Sequence, residues 1–171
     1  MLLIRPEETR DHEAISQVHR SAFGQESEAK LVIELRTSKD FLPELSLVAV
    51  MDGEIVGHIL FSPVVIQYGS RSVRALALAP MAVQPEFQRQ GIGSQLIKKG
   101  LECCRRLRHQ IVIVVGHPDY YPRFGFSSAR TRGLEVPFPV PDEVFMVLEL
   151  TQGTLESVAG MVRYPVAFND V

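Results

Sequence analysis

Between Ala75 and Val115 the spacing of apolar and polar residues changes character three times. Ala75 to Val83 is an almost unbroken apolar run, bounded by Arg74 and by Gln84-Pro85, and it predicts a strand. From Ile92 the apolar residues recur at helical spacing, at Leu96, Ile97, Gly100, Leu101, Cys104 and Leu107. Lys98, Lys99, Glu102, Arg105, Arg106 and Arg108 fall between them on the opposite, solvated face. Gln110 to Val115 is a β-branched run without polar interruption, as expected of a strand buried on both faces and therefore parallel to its neighbour. Strand, loop, helix and strand make a βαβ crossover.

The rest of the chain surrounds this unit. Leu2 to Arg5 predicts a short strand closed by Pro6. Asp11 can cap a helix to about Phe23, with Ile15, Val18 and Ala22 on one face and Gly24 ending it. Ser27 can cap a second helix to about Arg36, with Leu31, Val32 and Leu35 inward. Leu45 to Met51 and Glu54 to Ile66 pair across Asp52-Gly53, the strongest hairpin signal in the chain, and Gly69-Ser70 turns into a strand from Ser72. Downstream, Gly125 to Leu150 supplies two antiparallel strands, the last over Glu143 to Leu150. Pro80 cannot donate to a ladder, so within its strand it implies a bulge or an unpaired edge, or simply the end of pairing. A bulge would leave backbone groups of Met81, Ala82 and Val83 for an amide-rich ligand arm to pair with, as an added strand would.

The loop between strand and helix introduces chemistry. Gly91 and Gly93 let the backbone curl tightly and a ligand approach closely. The first N–H groups of the helix have no internal partner, and the helix dipole makes that spot favourable for a phosphate. Gln88, Arg89 and Ser94 add side-chain donors beside it. No Gly-Lys-Ser/Thr follows, so this is no Walker loop, and Leu96 occupies the third glycine position of a dinucleotide fingerprint. A turn that merely links strand to helix is the other reading.

Composition narrows the function classes. The chain has 171 residues, 46% hydrophobic and 22% charged, which suits one domain with a sizeable core. A net charge of −2 gives no electrostatic case for nucleic acid. No apolar run approaches the roughly 20 residues that span a bilayer, and the N-terminus turns charged at once, which points away from membranes and secretion. Adjacent Cys103 and Cys104 lack metal-ligand spacing, so no metal is expected, and Cys104 reads as core while Cys103 reads as peripheral. A reducing cytoplasm follows.

Gln88-x-x-Gly91-x-Gly93 after a strand resembles the acetyl-CoA pyrophosphate motif of the GCN5-related N-acetyltransferases. Tyr120 to Phe126, Y-Y-P-R-F-G-F, places Tyr121 four residues before Gly-Phe, as in the same family. Gly57 to Pro63, the Tyr120 to Phe126 stretch and the tail from Arg163 to Phe168 are similar to a YhbS-type subgroup, mostly predicted general acetyltransferases. The resemblance covers roughly residues 2–150. It implies an α/β fold with a mostly antiparallel twisted sheet, a central parallel strand pair splayed at a β-bulge, and flanking helices. It implies an acetyltransferase domain over residues 1–150 with residues 151–171 as a tail packed on it.

It further implies acetyl-CoA as co-substrate, held by Met81, Ala82 and Val83 and by the loop Gln88, Arg89, Gln90, Gly91, Ile92, Gly93 and Ser94. Tyr121 is implied as the general acid facing the thiol. The implied partner is a primary amine on a small molecule or peptide, chosen by rim loops, and a homodimer is common for the fold. The alternative is an acyl-CoA-binding sensor or interaction module that does not turn its ligand over. Deprotonating an amine of pKa near ~10 at neutral pH costs about three units, roughly 4 kcal/mol, so a base is expected. Many family members carry a glutamate on the strand before the loop, yet Leu76 to Val83 has no carboxylate. His58, Glu28 and Glu34 are the remaining candidates, unless positioning of the two reactants does most of the work.

Overall fold

The Asp52-Gly53 turn holds both residues in the left-handed region, at φ 51° and 81°, as a two-residue hairpin turn requires. It joins β2 (Ser46–Met51) to β3 (Glu54–Tyr68), antiparallel from Met51↔Glu54 to Ser46↔Leu60 with a register shift between Ala49 and Val50. β1 (Leu2–Pro6) lines the other side of β2, also antiparallel. Gly69, at φ 60°, turns the chain into β4 (Arg71–Val83), and the peptide bond before Pro80 is cis. β5 (Ile111–Val115) runs parallel to β4 through Leu76↔Val112 and Ala77↔Ile113. β6 (Ser127–Ser128) and β8 (Phe145–Glu149) are antiparallel neighbours, and β8 is antiparallel to β5. β7 (Leu134–Glu135) is parallel to β9 (Gly160–Arg163), which runs antiparallel to β3.

This computed structural model describes residues 1–171, apart from the side chain of Asp170. The strand order is β1-β2-β3-β4-β5-β8-β6, with β9 beside β3 and β7. A chiefly antiparallel sheet with a parallel pair at its centre is the mixed α/β fold expected from the sequence.

The chain forms two compact units. One comprises Met1–Ser62, Ala79–Cys103 and Val166–Val171. It contains α1 (His12–Phe23), α2 (Ser27–Arg36) and most of α3 (Ile92–Arg106). Ile15, Leu31, Val32, Leu35, Val48 and Leu60 form a buried cluster here, with Phe41, Ala167 and Phe168 packed against it. The end of the tail is thus tied to the helices, for which the sequence carries no periodic signal. The other unit comprises Pro63–Leu78 and Cys104–Pro165. Its core is built from β-branched and aromatic strand residues, among them Ile111, Ile113, Phe145, Val147 and Val162, closed by Leu155 and Val158 of the tail.

Four local expectations change. Ser27 does not cap the second helix but is its first residue, and the N-cap position is held by Glu26 without a side-chain bond. Gly24 ends α1 in the left-handed region at φ 67°, but Asp11 does not cap that helix with its side chain. Its carboxylate accepts instead from Arg5 (2.7 Å) and from the Glu8 N–H (2.7 Å). Cys103 is buried like Cys104 rather than peripheral, because α3 packs a wider face than the apolar stripe alone marks. Leu107 lies past the last helical residue, Arg106, and is 41% exposed.

Gly100 belongs to the packed face of α3. A Cβ there would stand 2.4 Å and 2.7 Å from Cε1 and Cζ of the fully buried Phe61. Overpacking of this kind costs about 1–3 kcal/mol, against about 1 kcal/mol gained from replacing a helical glycine by alanine. Gly100→Ala should therefore lower stability by up to about 2 kcal/mol in urea unfolding, and the same change should cost less in a Phe61→Leu chain, where the ring is absent. Gly100→Ala at or above wild-type stability would refute the packing role.

Candidate functional site

The strand end, the loop and the start of α3 all lie in the first unit. Ala82 is buried, while Met81 and Val83 are half-buried. The Gln84 N–H donates to Val56 O (2.8 Å), which fixes the end of β4 on β3. Gly57 makes that close approach possible, since a Cβ on it would meet Ala82 O at 3.3 Å and Leu96 Cδ1 at 3.1 Å.

Beyond β4 the loop turns through two left-handed residues, Arg89 at φ 65° and Gly91 at φ 83°. The first helical bond runs from the Gln95 N–H to Gly91 O (3.1 Å). The N–H groups of Ile92 and Gly93 precede that bond and have no acceptor within the helix. A Cβ built on Gly91 would have nothing within 4 Å, so the space beside this turn is open. Arg89 and Gln90 are exposed, and Gly93 and Ser94 are half-buried. Gln88 has a second task that its motif position does not reveal. Its Nε2–H donates to Val83 O (2.9 Å) and so braces the loop against the strand end.

Tyr121 lies in the second unit, at the start of a 3-10 turn over Tyr121–Phe124 that Gly125 closes at φ 98°. Its side chain is buried, only 8% exposed. The ring meets Tyr120 edge-on at 5.3 Å and Phe126 edge-on at 5.7 Å between centroids. Burial, aided by the neighbouring Tyr120, pushes the phenol pKa up to about 12. The hydroxyl thus keeps its proton through the physiological range, as a proton donor must.

The three candidates for a base are placed quite differently from one another. Glu28 is buried, and both its carboxylate oxygens accept from Gln25 Nε2, at 3.0 Å and 3.1 Å, rather than facing water. Glu34 is exposed. His58 is wholly buried in a polar network inside the first unit. At its centre is Glu7, whose side chain is only 4% exposed. Arg36 donates to it twice, Nε–H to Oε2 at 2.7 Å and Nη2–H to Oε1 at 3.1 Å. His12 Nε2 lies 3.1 Å from Oε2, and the Ser46 hydroxyl donates to Oε1.

From Ser46 the directions of the remaining bonds follow. The hydroxyl has spent its proton on Glu7, so Ser46 Oγ accepts from His58 Nε2–H at 2.9 Å. His58 Nδ1 then accepts from His19 Nε2–H at 2.8 Å. Both imidazoles are held neutral. His19 is driven down to about 2 by burial, then by His58 and Arg36. His58 is lowered by burial, which outweighs the opposing pull of Glu7. For Glu7 burial acts upward, but the contacts with His58, Arg36 and Ser46 together hold the carboxyl well below its usual value.

Sequence reasoning missed this network apart from His58. One signal was available, because His19 falls on the same helical face as Ile15, Val18 and Ala22. A histidine on an apolar stripe needs buried polar partners.

Strand, left-handed glycine turn and helix N-terminus follow one another in this α/β protein, and the space beside the turn is open. Residues 3–129 match the family described as an acetyltransferase (GNAT) domain, and the chain belongs to that family. It is 42% identical over 134 residues to the uncharacterized N-acetyltransferase YjhQ of Escherichia coli strain K12, covering 78% of this chain and 74% of that protein. Against the uncharacterized N-acetyltransferase YhbS of the same strain it is 35% identical over 169 residues, 98% of this chain and 99% of YhbS. The crystal structure of Escherichia coli YhbS in complex with CoA superimposes with a TM-score of 0.91 at 34% identity, over 98% of this chain and 92% of that one. A GNAT family acetyltransferase from Brucella melitensis, solved with acetyl-CoA, gives 0.80 at 32% identity over 98% of both chains. Among the described residues no helix is long and apolar enough to cross a membrane, and no group of histidine, cysteine or carboxylate side chains is arranged to hold a metal ion.

Proposed function

We propose that this protein is an acetyl-CoA-dependent N-acetyltransferase that moves the acetyl group directly to a primary amine of a small molecule or peptide in a ternary complex, in the cytoplasm. The observation that carries the proposal is the left-handed turn at Gly91, with open space at its Cβ and the N–H groups of Ile92 and Gly93 ahead of the first helical bond. In this reading Gln88, Arg89, Gln90, Gly91, Ile92, Gly93 and Ser94 hold the pyrophosphate. Met81, Ala82 and Val83 pair with the pantetheine arm as an added strand would. The co-substrate supplies the activated thioester. The chain's own part is to bind and align it, to polarise its carbonyl from a backbone N–H near Ala82 or Val83, and to give a proton to the departing thiolate from Tyr121 Oη; the amine attacks in its neutral form, and the N–H proton it sheds as the C–N bond forms and the C–S bond breaks restores the phenol. Residues 1–150 form the acetyltransferase domain, and residues 151–171 are a tail belonging to it. CoA and acetyl-CoA in the related YhbS and Brucella structures support the choice of co-substrate.

Two observations favour a second reading, an acyl-CoA-binding module without turnover. β4 carries no carboxylate near the loop, and His58 is sealed inside the protein. Thiol release from acetyl-CoA separates the two readings. The acceptors would be a polyamine, an aminoglycoside, free amino acids and a short peptide with an open N-terminus. Release that depends on an amine, with an acetylated product of matching mass, is expected; acetyl-CoA binding without release on the whole panel would favour the module. For Tyr121→Phe we expect kcat to fall about 100-fold, the scale of a lost general acid, with acetyl-CoA affinity within about twofold of wild type. Unchanged kcat in this variant would remove Tyr121 from the mechanism.

A further inference from the structure

Most glycines here with defined surroundings sit at positive φ, where the backbone itself calls for glycine. Gly57, Gly100 and Gly116 do not. Gly57 lets two strands and a helix close up, and Gly100 leaves room for Phe61. Gly116 follows β5 directly, and a Cβ on it would stand 2.4 Å from Cε2 of Tyr121, 3.1 Å from Cδ2 and 3.4 Å from Cζ. Those three atoms form one edge of the phenol ring and run up to the carbon that bears the hydroxyl.

The ring has little room to retreat. Gly116 is pinned by its N–H, which donates to Val144 O at 2.9 Å, and the Tyr121 N–H reaches His117 O at 3.4 Å. Tyr120 and Phe126 crowd the ring edge-on. A contact of 2.4 Å against a rigid ring cannot be absorbed by a rotamer change at the tip of a flexible chain.

We propose that Gly116 is a positioning residue for Tyr121. Its missing side chain is the slot in which the phenol ring lies, and this fixes the direction of the hydroxyl. The inference rests on Tyr121 serving as the acid in the proposed reaction. Gly116 touches no reacting atom and acts only through the ring.

The test is a cycle of substitutions read by thiol release from acetyl-CoA, with the best amine of the panel above as acceptor. Gly116→Ala should lower kcat at least about tenfold, with acetyl-CoA Kd and amine KM within about twofold. In the Tyr121→Phe background the same change should alter kcat less than about twofold, because the hydroxyl whose direction it sets is already gone. Equal losses in the two backgrounds, or a rise in Kd parallel to the loss of kcat, would overturn the proposal.

Stability provides an arm independent of turnover. Gly116→Ala should lower the unfolding midpoint in the wild-type chain and leave it unchanged in a Tyr121→Ala chain, where no ring fills the slot. The same loss in both would also overturn it. If Tyr121→Phe alone leaves kcat unchanged, the acid role fails, while the stability arm still decides whether Gly116 seats the ring.

Discussion

Replacing Gly91 by valine should abolish acetyl-CoA binding while leaving a folded protein. The two halves of this expectation have separate causes. A Cβ at Gly91 meets nothing within 4 Å, so the substitution creates no collision inside the protein. The φ of 83° adds a local strain of about 1–2 kcal/mol for a residue with a side chain, more for a β-branched one. That is affordable for a domain stabilised by about 5–15 kcal/mol. In the proposed reading the open space is where a pyrophosphate sits to reach the N–H groups of Ile92 and Gly93, and the valine methyls would fill it. At acetyl-CoA about 100-fold above Kd, the wild-type protein should gain about 2.7 kcal/mol of apparent stability from mass action. Gly91→Val should show none of this gain at the same concentration, and Gly91→Ala should keep part of it. Full ligand stabilisation in Gly91→Val would mean that the turn is only a connection between strand and helix.

The second large effect is a steep loss of stability in mild acid. His19 and His58 are neutral in the fold, with pKa values below the ordinary 6.5. Between the folded pKa and 6.5 the unfolded chain binds more protons, so stability falls as pH drops below about 6.5. Each histidine contributes a slope of up to about 1.4 kcal/mol per pH unit, and the pair up to about 2.7. Glu7 works in the same direction at lower pH. Its lowered pKa gives stability that is present above the ordinary 4.5 and is lost as pH falls toward the folded value. Urea unfolding between pH 7.5 and 5 should show this fall, and His19→Leu should make it shallower. Glu7→Gln should cost up to about 3 kcal/mol at neutral pH, because it leaves the half-buried Arg36 charge uncompensated and weakens the bonds to Ser46 and His12. Stability that stays level from pH 7 to 5.5 would contradict the neutral, buried state of the two imidazoles.

How much of this was legible in the sequence depended on how far apart the interacting residues lie along the chain. The strand from Ala75, the glycine turn and the helix from Ile92 are contiguous and differ sharply in period, so their order and type could be read directly. Asp52-Gly53 fixed its hairpin for the same local reason. The Glu7 network draws Arg36, Ser46, His58 and His19 from different elements, and no pattern of spacing links them. Ser46 looked like an ordinary polar residue at a strand start, and Glu7 like one more charge after Pro6. Tyr121 could be located by its distance from Gly125-Phe126. Its seat could not, because Gly116 reads as the residue that stops β5 rather than as the space for a ring. Cys103 and Leu107 were misplaced at the two margins of the apolar stripe of α3, where burial is set by what packs against the helix rather than by its own period.

The most direct measurement is a calorimetric titration of acetyl-CoA into the unmodified protein, with dephospho-CoA as a second ligand. Saturable heat at one site per chain, in the micromolar range and absent in Gly91→Val, is the expected result. No heat from either ligand up to millimolar concentration would contradict the assignment of Gln88 to Ser94 as a pyrophosphate cradle, and with it the proposed acetyl transfer.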